Sequence, residues 1–112
     1  MVTLETMREI ALSFPETSEQ PHFDKISFRV GKKIFATYDV KKNQACLMVS
    51  PIDQSVFSAF DPSIIFAVTN KWGQKGATFF ILNKVRVDLF TDALTTAYCN
   101  IAPKKLAENY RL

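Results

Sequence analysis

The chain has 112 residues, of which 47% are hydrophobic and 22% charged, and it contains only three glycines and five prolines. These values predict a single globular domain over residues 1–112 and argue against a multidomain enzyme, a collagen-like fibre or a disordered chain. The formal net charge of +3 permits an anionic partner but does not require one.

The first residues do not resemble an export signal. Glu5, Arg8 and Glu9 interrupt the apolar stretch that a signal peptide requires. The longest apolar run, at residues 64–68, is far shorter than the roughly 20 residues needed to cross a bilayer. We therefore expect a cytoplasmic protein without a membrane-spanning segment, with a monomer as the favoured oligomeric state.

Periodicity predicts the elements in the first half of the chain. Apolar residues recur every three or four positions from Leu4, which predicts a helix that Thr3 caps and that ends before Pro15. Apolar and polar residues then alternate over residues 26–49, which predicts a three-stranded antiparallel meander. A further extended stretch at residues 19–23 leads into it.

The second half predicts two more helices and one more strand. Ser50 is positioned to cap a helix that begins at Pro51, and residues 63–76 have the composition of an ordered loop. Within that interval, residues 64–68 also suit a short strand, but the turn residues at 69–76 favour a loop. Residues 78–82 predict a strand, and a helix of about four turns is expected to begin near Asp88. The apolar stripe expected to face the core from the second helix consists of Ile52, Val56, Phe57 and Phe60. This order of elements predicts the α+β class, with an antiparallel sheet and helices packed on one face.

The charged residues are segregated along the chain. Residues 1–24 hold five acidic residues and one basic residue, residues 25–42 hold six basic residues and one acidic residue, and residues 71–86 hold four basic residues and no acidic residue. Cations at hairpin tips and in loops can reach phosphates, which predicts a DNA-binding surface. The alternative is that such lysines only keep strand edges soluble. The candidate DNA-binding residues are Arg29, Lys32, Lys33, Lys41, Lys42, Lys71, Trp72, Lys75 and Arg86.

Trp72 has two interpretations. It is the only tryptophan and lies in the predicted loop, between Lys71 and Gly73. Its ring either stacks on a base or fills the core beneath the loop, and we favour the second role. A buried ring is therefore expected, although Trp72 stays among the candidate residues.

The sequence lacks the common catalytic motifs. Three glycines are too few and too scattered for a dinucleotide fingerprint or a phosphate-binding loop. His22 is the only histidine and has no nucleophile motif near it. Cys46 and Cys99 lack the spacing of a metal or redox site, and the strand position of Cys46 predicts a buried thiol. We therefore expect no enzyme activity, no cofactor and no metal site.

Four segments of the chain are distinctive, namely FPET at residues 14–17, FRVGKKIFA at 28–36, KWGQKG at 71–76 and APKKL at 102–106. Together they resemble the MmcQ/YjbR-like proteins. The second segment matches the pattern F-x-V-x-x-K-x-F-A of that family. One difference is Ala77, which stands where the family commonly has an aromatic residue. The resemblance extends over nearly the whole chain.

This resemblance implies a CyaY-like, or frataxin-like, α+β fold and a double-wing DNA-binding function in which β-hairpins contact the nucleic acid. The residues that match the family segments are Lys32, Lys33, Lys71 and Lys75, whereas the remaining cations are candidates on charge alone. Two alternatives stay open. One is a non-enzymatic module that binds a protein or a small ligand, and the more distant one is frataxin-like metal binding by acids of the first helix.

Overall fold

A computed structural model describes residues 1–110 of the protein. The helices are α1 (Leu4–Ser13), α2 (Pro51–Ser58), α3 (Lys71–Gln74), α4 (Val87–Ile101) and α5 (Lys104–Ala107), followed by a 3-10 turn at Glu108–Tyr110. The strands are β1 (Thr17–His22), β2 (Lys25–Val30), β3 (Lys33–Asp39), β4 (Gln44–Met48), β5 (Ile65–Ala67) and β6 (Ala77–Ile81). They form one antiparallel sheet in the order β1-β2-β3-β4-β6-β5. The predicted α+β class is confirmed, and none of the described helices combines the length and apolar character needed to span a membrane.

Both predicted helix caps are present. The Thr3 hydroxyl oxygen accepts a hydrogen bond from the Thr6 backbone N–H at 3.1 Å, and α1 ends before Pro15. The Ser50 hydroxyl oxygen accepts from the Asp53 backbone N–H at 3.1 Å, so that α2 begins at the proline that follows the cap. These bonds satisfy backbone donors that have no partner within the helix.

The predicted meander has one additional strand. The extended stretch predicted at residues 19–23 lies in β1 as far as His22, and the two-residue turn Phe23-Asp24 then connects β1 to its partner β2. Strands β1 to β4 therefore follow one another in the sheet, and β6 and then β5 extend it beyond β4.

The expectation of a loop over residues 63–76 is wrong, because this interval contains β5 and α3. In β5, Ile65 is buried and the ring of Phe66 packs edge-on against Phe79, with ring centroids 5.8 Å apart. A strand of three residues and a helix of one turn are too short to produce a periodic signal in the sequence.

The expectation that the apolar stripe of the second helix faces the core is wrong for three of its four residues. Phe57 is buried and packs against Phe80, with ring centroids 6.2 Å apart. Ile52, Val56 and Phe60 are exposed. The reason is the position of α2, which packs against β5 and β6 at one edge of the sheet, so that only one side of the helix is covered.

A β-bulge shapes the core between the sheet and α4. Phe28 pairs with Ala36, but the next residue, Arg29, pairs with Ile34, which leaves Phe35 as an extra residue in β3. Phe35 and Ala36 are therefore both buried although they are consecutive. The bulge also changes the alternation, because Ile34 now lies on the face of the sheet that is turned away from the core.

Tyr98 of α4 joins the helices to this bulge. Its ring stacks on Phe14 at a centroid distance of 4.6 Å and meets Phe35 edge-on at 5.7 Å. Its hydroxyl donates a hydrogen bond to the Pro15 carbonyl oxygen at 2.9 Å, which links the end of α1 to α4. The ring is fully buried.

Replacing Tyr98 by Phe removes this hydroxyl and keeps the ring. We expect the free energy of unfolding to fall by about 1 kcal/mol, the net value of one hydrogen bond. Tyr98→Ala also removes the ring and is expected to cost about 3–5 kcal/mol. Urea unfolding followed by circular dichroism measures both values. A Tyr98→Phe protein as stable as the unaltered one would show that the bond to Pro15 contributes nothing.

Candidate functional site

A row of side chains crosses the face of the sheet that is turned away from the core. Strand pairing places Ser27 beside Thr37, Thr37 beside Cys46, Cys46 beside Phe79, and Phe79 beside Phe66. We call the surface formed by this row and its same-face neighbours the open face. It runs through five strands, and its character changes from polar at β2 to aromatic at β5.

A cavity of about 940 Å³ lies over the open face. Ile34, Met48, Val68 and Phe79 line its apolar part. The basic side chains that line it are Lys25, Arg29, Lys32, Lys33 and Lys75. None of the described lining residues is Asp or Glu. A concave surface that carries charge of one sign concentrates the electrostatic potential, so this cavity is expected to attract anions.

Most of these cations are not neutralised by a neighbouring carboxylate. In residues 1–110, the basic residues that form ion pairs are Arg8, Lys25 and Arg86. Lys25 Nζ lies 3.3 Å from Asp24 Oδ1, and this contact lowers the pKa of the Asp24 carboxyl group. Arg29 forms a hydrogen bond instead of an ion pair: its Nε donates to the hydroxyl of Ser27, on the same strand, at 3.0 Å.

Two glycines hold α3 and the turn after it close to the sheet. A Cβ atom on Gly73 would overlap the Val68 carbonyl oxygen, and one on Gly76 would overlap the Val49 carbonyl oxygen. Gly76 also has φ +116°, a conformation that side chains rarely allow. The side chain of Asn70 caps the helix by accepting from the backbone N–H two residues later, at 2.9 Å.

Gln54 of α2 fixes the same segment from its other side. Its Nε2 donates to the Gly73 carbonyl oxygen at 2.9 Å and to the Ala77 carbonyl oxygen at 3.0 Å. Two backbone acceptors at the beginning and the end of the turn are thus satisfied by one amide. The segment that carries Trp72 and Lys75 is consequently attached to α2 as well as to the sheet.

The expectation that Trp72 is buried is wrong. The residue is 54% exposed and lines the cavity. Lys75 Nζ lies 5.2 Å from the centroid of the indole, in a cation–π contact. The ring is exposed because the backbone of α3 already fills the space against Val68, as the close approach of Gly73 shows. Trp72 is therefore available for contact with a partner.

The structure brings five of the nine candidate residues together around the cavity. They are Arg29, Lys32, Lys33, Trp72 and Lys75. Lys32 lies in the turn between β2 and β3 and Lys33 is the first residue of β3, whereas Trp72 and Lys75 come from the segment before β6. The antiparallel pairing of β4 with β6 brings these two distant parts of the chain to the same end of the sheet.

The other four candidates lie outside the cavity. Lys41 and Lys42 follow β3, so they are roughly 20 Å from Lys33, at the opposite end of that strand. Lys71 is exposed on α3 but does not line the cavity. Arg86 precedes α4 and pairs with Asp88 at 3.0 Å.

Sequence reasoning missed three residues of the β1–β2 hairpin that line the cavity, namely His22, Phe23 and Lys25. Phe23 is 94% exposed, has φ +59°, and its ring meets His22 edge-on at a centroid distance of 4.8 Å. Lys25 shares the period-2 pattern of the polar residues Ser27 and Arg29 in β2, and this pattern was a usable signal for the open face. Phe23 gave none, because an aromatic residue in a two-residue turn is indistinguishable in sequence from a core residue.

Cys46 lies in the middle of the open face and is half-buried rather than fully buried. Burial raises the pKa of its thiol to about 11. The thiol is therefore protonated at neutral pH, and a protonated thiol is a poor nucleophile. This argues against covalent chemistry in the cavity.

Two acidic residues of the N-terminal part, Glu5 and Glu19, are paired with Arg8. Arg8 Nε lies 2.9 Å from Glu19 and Arg8 Nη1 lies 2.7 Å from Glu5. The hydrogen bond to Glu19, and to a smaller extent that to Glu5, raises the pKa of the Arg8 guanidinium group. Within residues 1–110, no group of three or more His, Cys, Asp or Glu side chains is arranged to hold a metal ion.

Comparison with known proteins identifies the family of this chain. No curated protein matches it. A crystal structure of the Deinococcus radiodurans protein DR2400, described as having a DUF419 domain, is similar in fold, with a TM-score of 0.76. The two chains are 18% identical, and the similarity covers 98% of this chain and 88% of that one. The YjbR family model matches residues 12–100. The chain belongs to the YjbR family.

Proposed function

We propose that this protein binds DNA through the cavity on its open face, and that it acts by binding rather than by catalysis. The observation that carries the proposal is the composition of the cavity lining, whose described residues include five cations and no carboxylate; of these cations only Lys25 forms an ion pair, with Asp24 outside the lining. DNA phosphates are the abundant anions that such a surface attracts over a long distance. The position of Lys32 and Lys33 on one hairpin, and of Lys75 beside it, supports a clamp on the backbone.

Contacts of this kind are largely independent of base sequence. Lysine and arginine side chains that reach phosphates fix the position of a nucleic acid but do not read bases. The long helices α1 and α4 pack against the core side of the sheet, through residues such as Met7 and Leu94, and of these two helices only the last turn of α4 lines the cavity, with Asn100 and Ile101. We therefore propose affinity for many sequences rather than for one operator.

Binding is expected to weaken steeply as salt is added. If four or five phosphates are neutralised, the logarithm of the binding constant for a duplex falls against the logarithm of salt concentration with a slope of about −4. Fluorescence anisotropy of a labelled duplex at several concentrations between roughly 50 and 200 mM salt measures this slope. Failure to bind at the lowest salt, with protein at about 100 μM, would refute the proposal.

Charge reversal distinguishes DNA binding by the cavity from DNA binding by the rest of the basic surface. The double substitution Lys32→Glu and Lys33→Glu removes two cations of the cavity, so we expect affinity to fall by about 100-fold or more and the salt slope to decrease by about 2. The matched control is Lys41→Glu with Lys42→Glu, which makes the same change in net charge outside the cavity. An equal loss in both proteins would assign the binding to net charge rather than to this site.

The thiol of Cys46 provides a footprint of the cavity. With a pKa of about 11, about one thiol in 1,000 is ionised at pH 8, so we expect alkylation about 100-fold slower than for an ordinary cysteine and about tenfold faster for each added pH unit.

The raised pKa of Cys46 also makes the free energy of unfolding depend on pH, because the folded state holds the thiol proton more tightly than the unfolded state does. The contribution of this thiol to the free energy of unfolding is complete below pH 9 and is lost as pH rises to about 11.

Bound DNA is expected to slow the alkylation of Cys46 further and to leave Cys99, which does not line the cavity, unchanged. Mass spectrometry of peptides after timed alkylation distinguishes the two cysteines in one sample. Protection of both residues, or of neither, would contradict binding in the cavity.

A small anionic ligand is a second candidate, favoured by the volume of the cavity. About 940 Å³ lies within the range of small-molecule sites, and the apolar lining beside the cations suits an amphiphile. An anionic aromatic dye tests this alternative. Displacement of the dye by an oligonucleotide supports DNA as the partner, whereas tight dye binding that DNA does not reverse supports a small-ligand site.

A further inference from the structure

We propose that the preferred form of DNA at this site is a single strand, whose bases stack on Trp72 and Phe23 at the two ends of the cavity. This inference rests on the proposed function and makes it more specific. It is carried by the apolar and aromatic part of the site, which phosphate contacts alone do not explain.

The cavity is lined by apolar side chains as well as by cations. Met48, Val68 and Phe79 line the cavity together with the basic residues. A duplex presents phosphates and groove edges, and its base faces are covered by stacking. A single strand exposes those faces together with its phosphates, so it can satisfy apolar and basic side chains at once. The composition of the cavity therefore matches a single strand better than a duplex.

Trp72 has the position expected of a stacking platform. More than half of the residue is exposed, although it is held by the tightly packed α3 segment. Lys75 lies over the ring at 5.2 Å, which places a cation next to any base that stacks on the indole. A phosphate that follows such a base would be within reach of this lysine.

Phe23 provides a second exposed ring at the other end of β2. It lies at the tip of the β1–β2 hairpin, is 94% exposed, and adopts a left-handed backbone conformation with φ +59°. Glycine adopts this conformation readily, whereas a bulky side chain does so rarely. Neither packing nor backbone preference accounts for phenylalanine at this position, whereas contact with a partner does.

The distance between the two rings suits a short segment of single strand. Trp72 lies near the Lys33 end of β3, and Phe23 lies near the opposite end, so the two rings are separated by roughly 20 Å along the strands and by about three strand spacings across them. Single-strand sites on OB folds begin at about 4 nucleotides. Arg29 and Lys33 line the same cavity and supply cations for the phosphates of such a segment.

The test compares an oligothymidylate of about 15 nucleotides with a duplex of the same length, by anisotropy at about 50 mM salt. We expect the single strand to bind at least about tenfold more tightly and to quench the fluorescence of Trp72, the only tryptophan. Equal affinities without quenching would overturn the single-strand inference and leave the proposed function intact. No binding of either form would overturn both.

Variants locate the stacking. Trp72→Ala is expected to weaken single-strand binding by about tenfold or more and duplex binding much less, and Trp72→Phe is expected to restore part of the loss. Phe23→Gly is expected to weaken single-strand binding without lowering the melting temperature, because glycine suits the backbone of that turn.

The control is the pair Lys104→Glu and Lys105→Glu, two adjacent exposed lysines that do not line the cavity, and it is expected to weaken both forms of DNA alike. Melting temperatures of all variants are measured to confirm that each is folded. Equal losses for single strand and duplex in the Trp72→Ala protein would show that its ring does not stack on bases.

Discussion

The sheet of this protein packs one face against the helices and turns the other toward the cavity, and the positions of the basic residues on its strands depend on this asymmetry. Along β2, Phe28 and Val30 enter the core, whereas Lys25 and Arg29 line the cavity on the opposite side. Because side chains alternate along a strand, cations can occupy every second position without being buried. A slip of one residue in the register would bury these cations and expose the core, so the packing that stabilises the fold also fixes the basic surface.

The second constraint is the close backbone contact between the α3 segment and its neighbours. Gly73 and Gly76 allow this contact, and the amide of Gln54 bonds to carbonyl groups at both ends of the turn. The glycines of the KWGQKG segment are thus explained by packing, whereas Trp72 and Lys75 are left exposed and are not explained by packing. In this segment the glycines therefore serve the packing, and the exposed side chains are the ones that a partner can contact.

Local signals in the sequence were sufficient for much of the fold. Helix caps at Thr3 and Ser50 and the alternation over residues 26–49 predicted elements that the structure contains. They were insufficient where an element is very short, as in β5, or where its environment depends on tertiary position. The exposed side of α2 is of the second kind, since no local pattern reveals that a helix lies at the edge of a sheet.

The candidate site was only partly predictable for a related reason. Lys33 and Lys41 are close in sequence, but β3 carries the chain across the sheet between them, so they lie at opposite ends. Lys75 is distant in sequence from Lys33 and yet lines the same cavity, because β6 pairs with β4. The modest net charge of +3 hides this arrangement, since Glu5 and Glu19 are paired with Arg8 beside α1 and contribute nothing to the cavity lining. Separation of the two signs of charge, rather than their sum, therefore determines how strongly an anion is drawn to the open face.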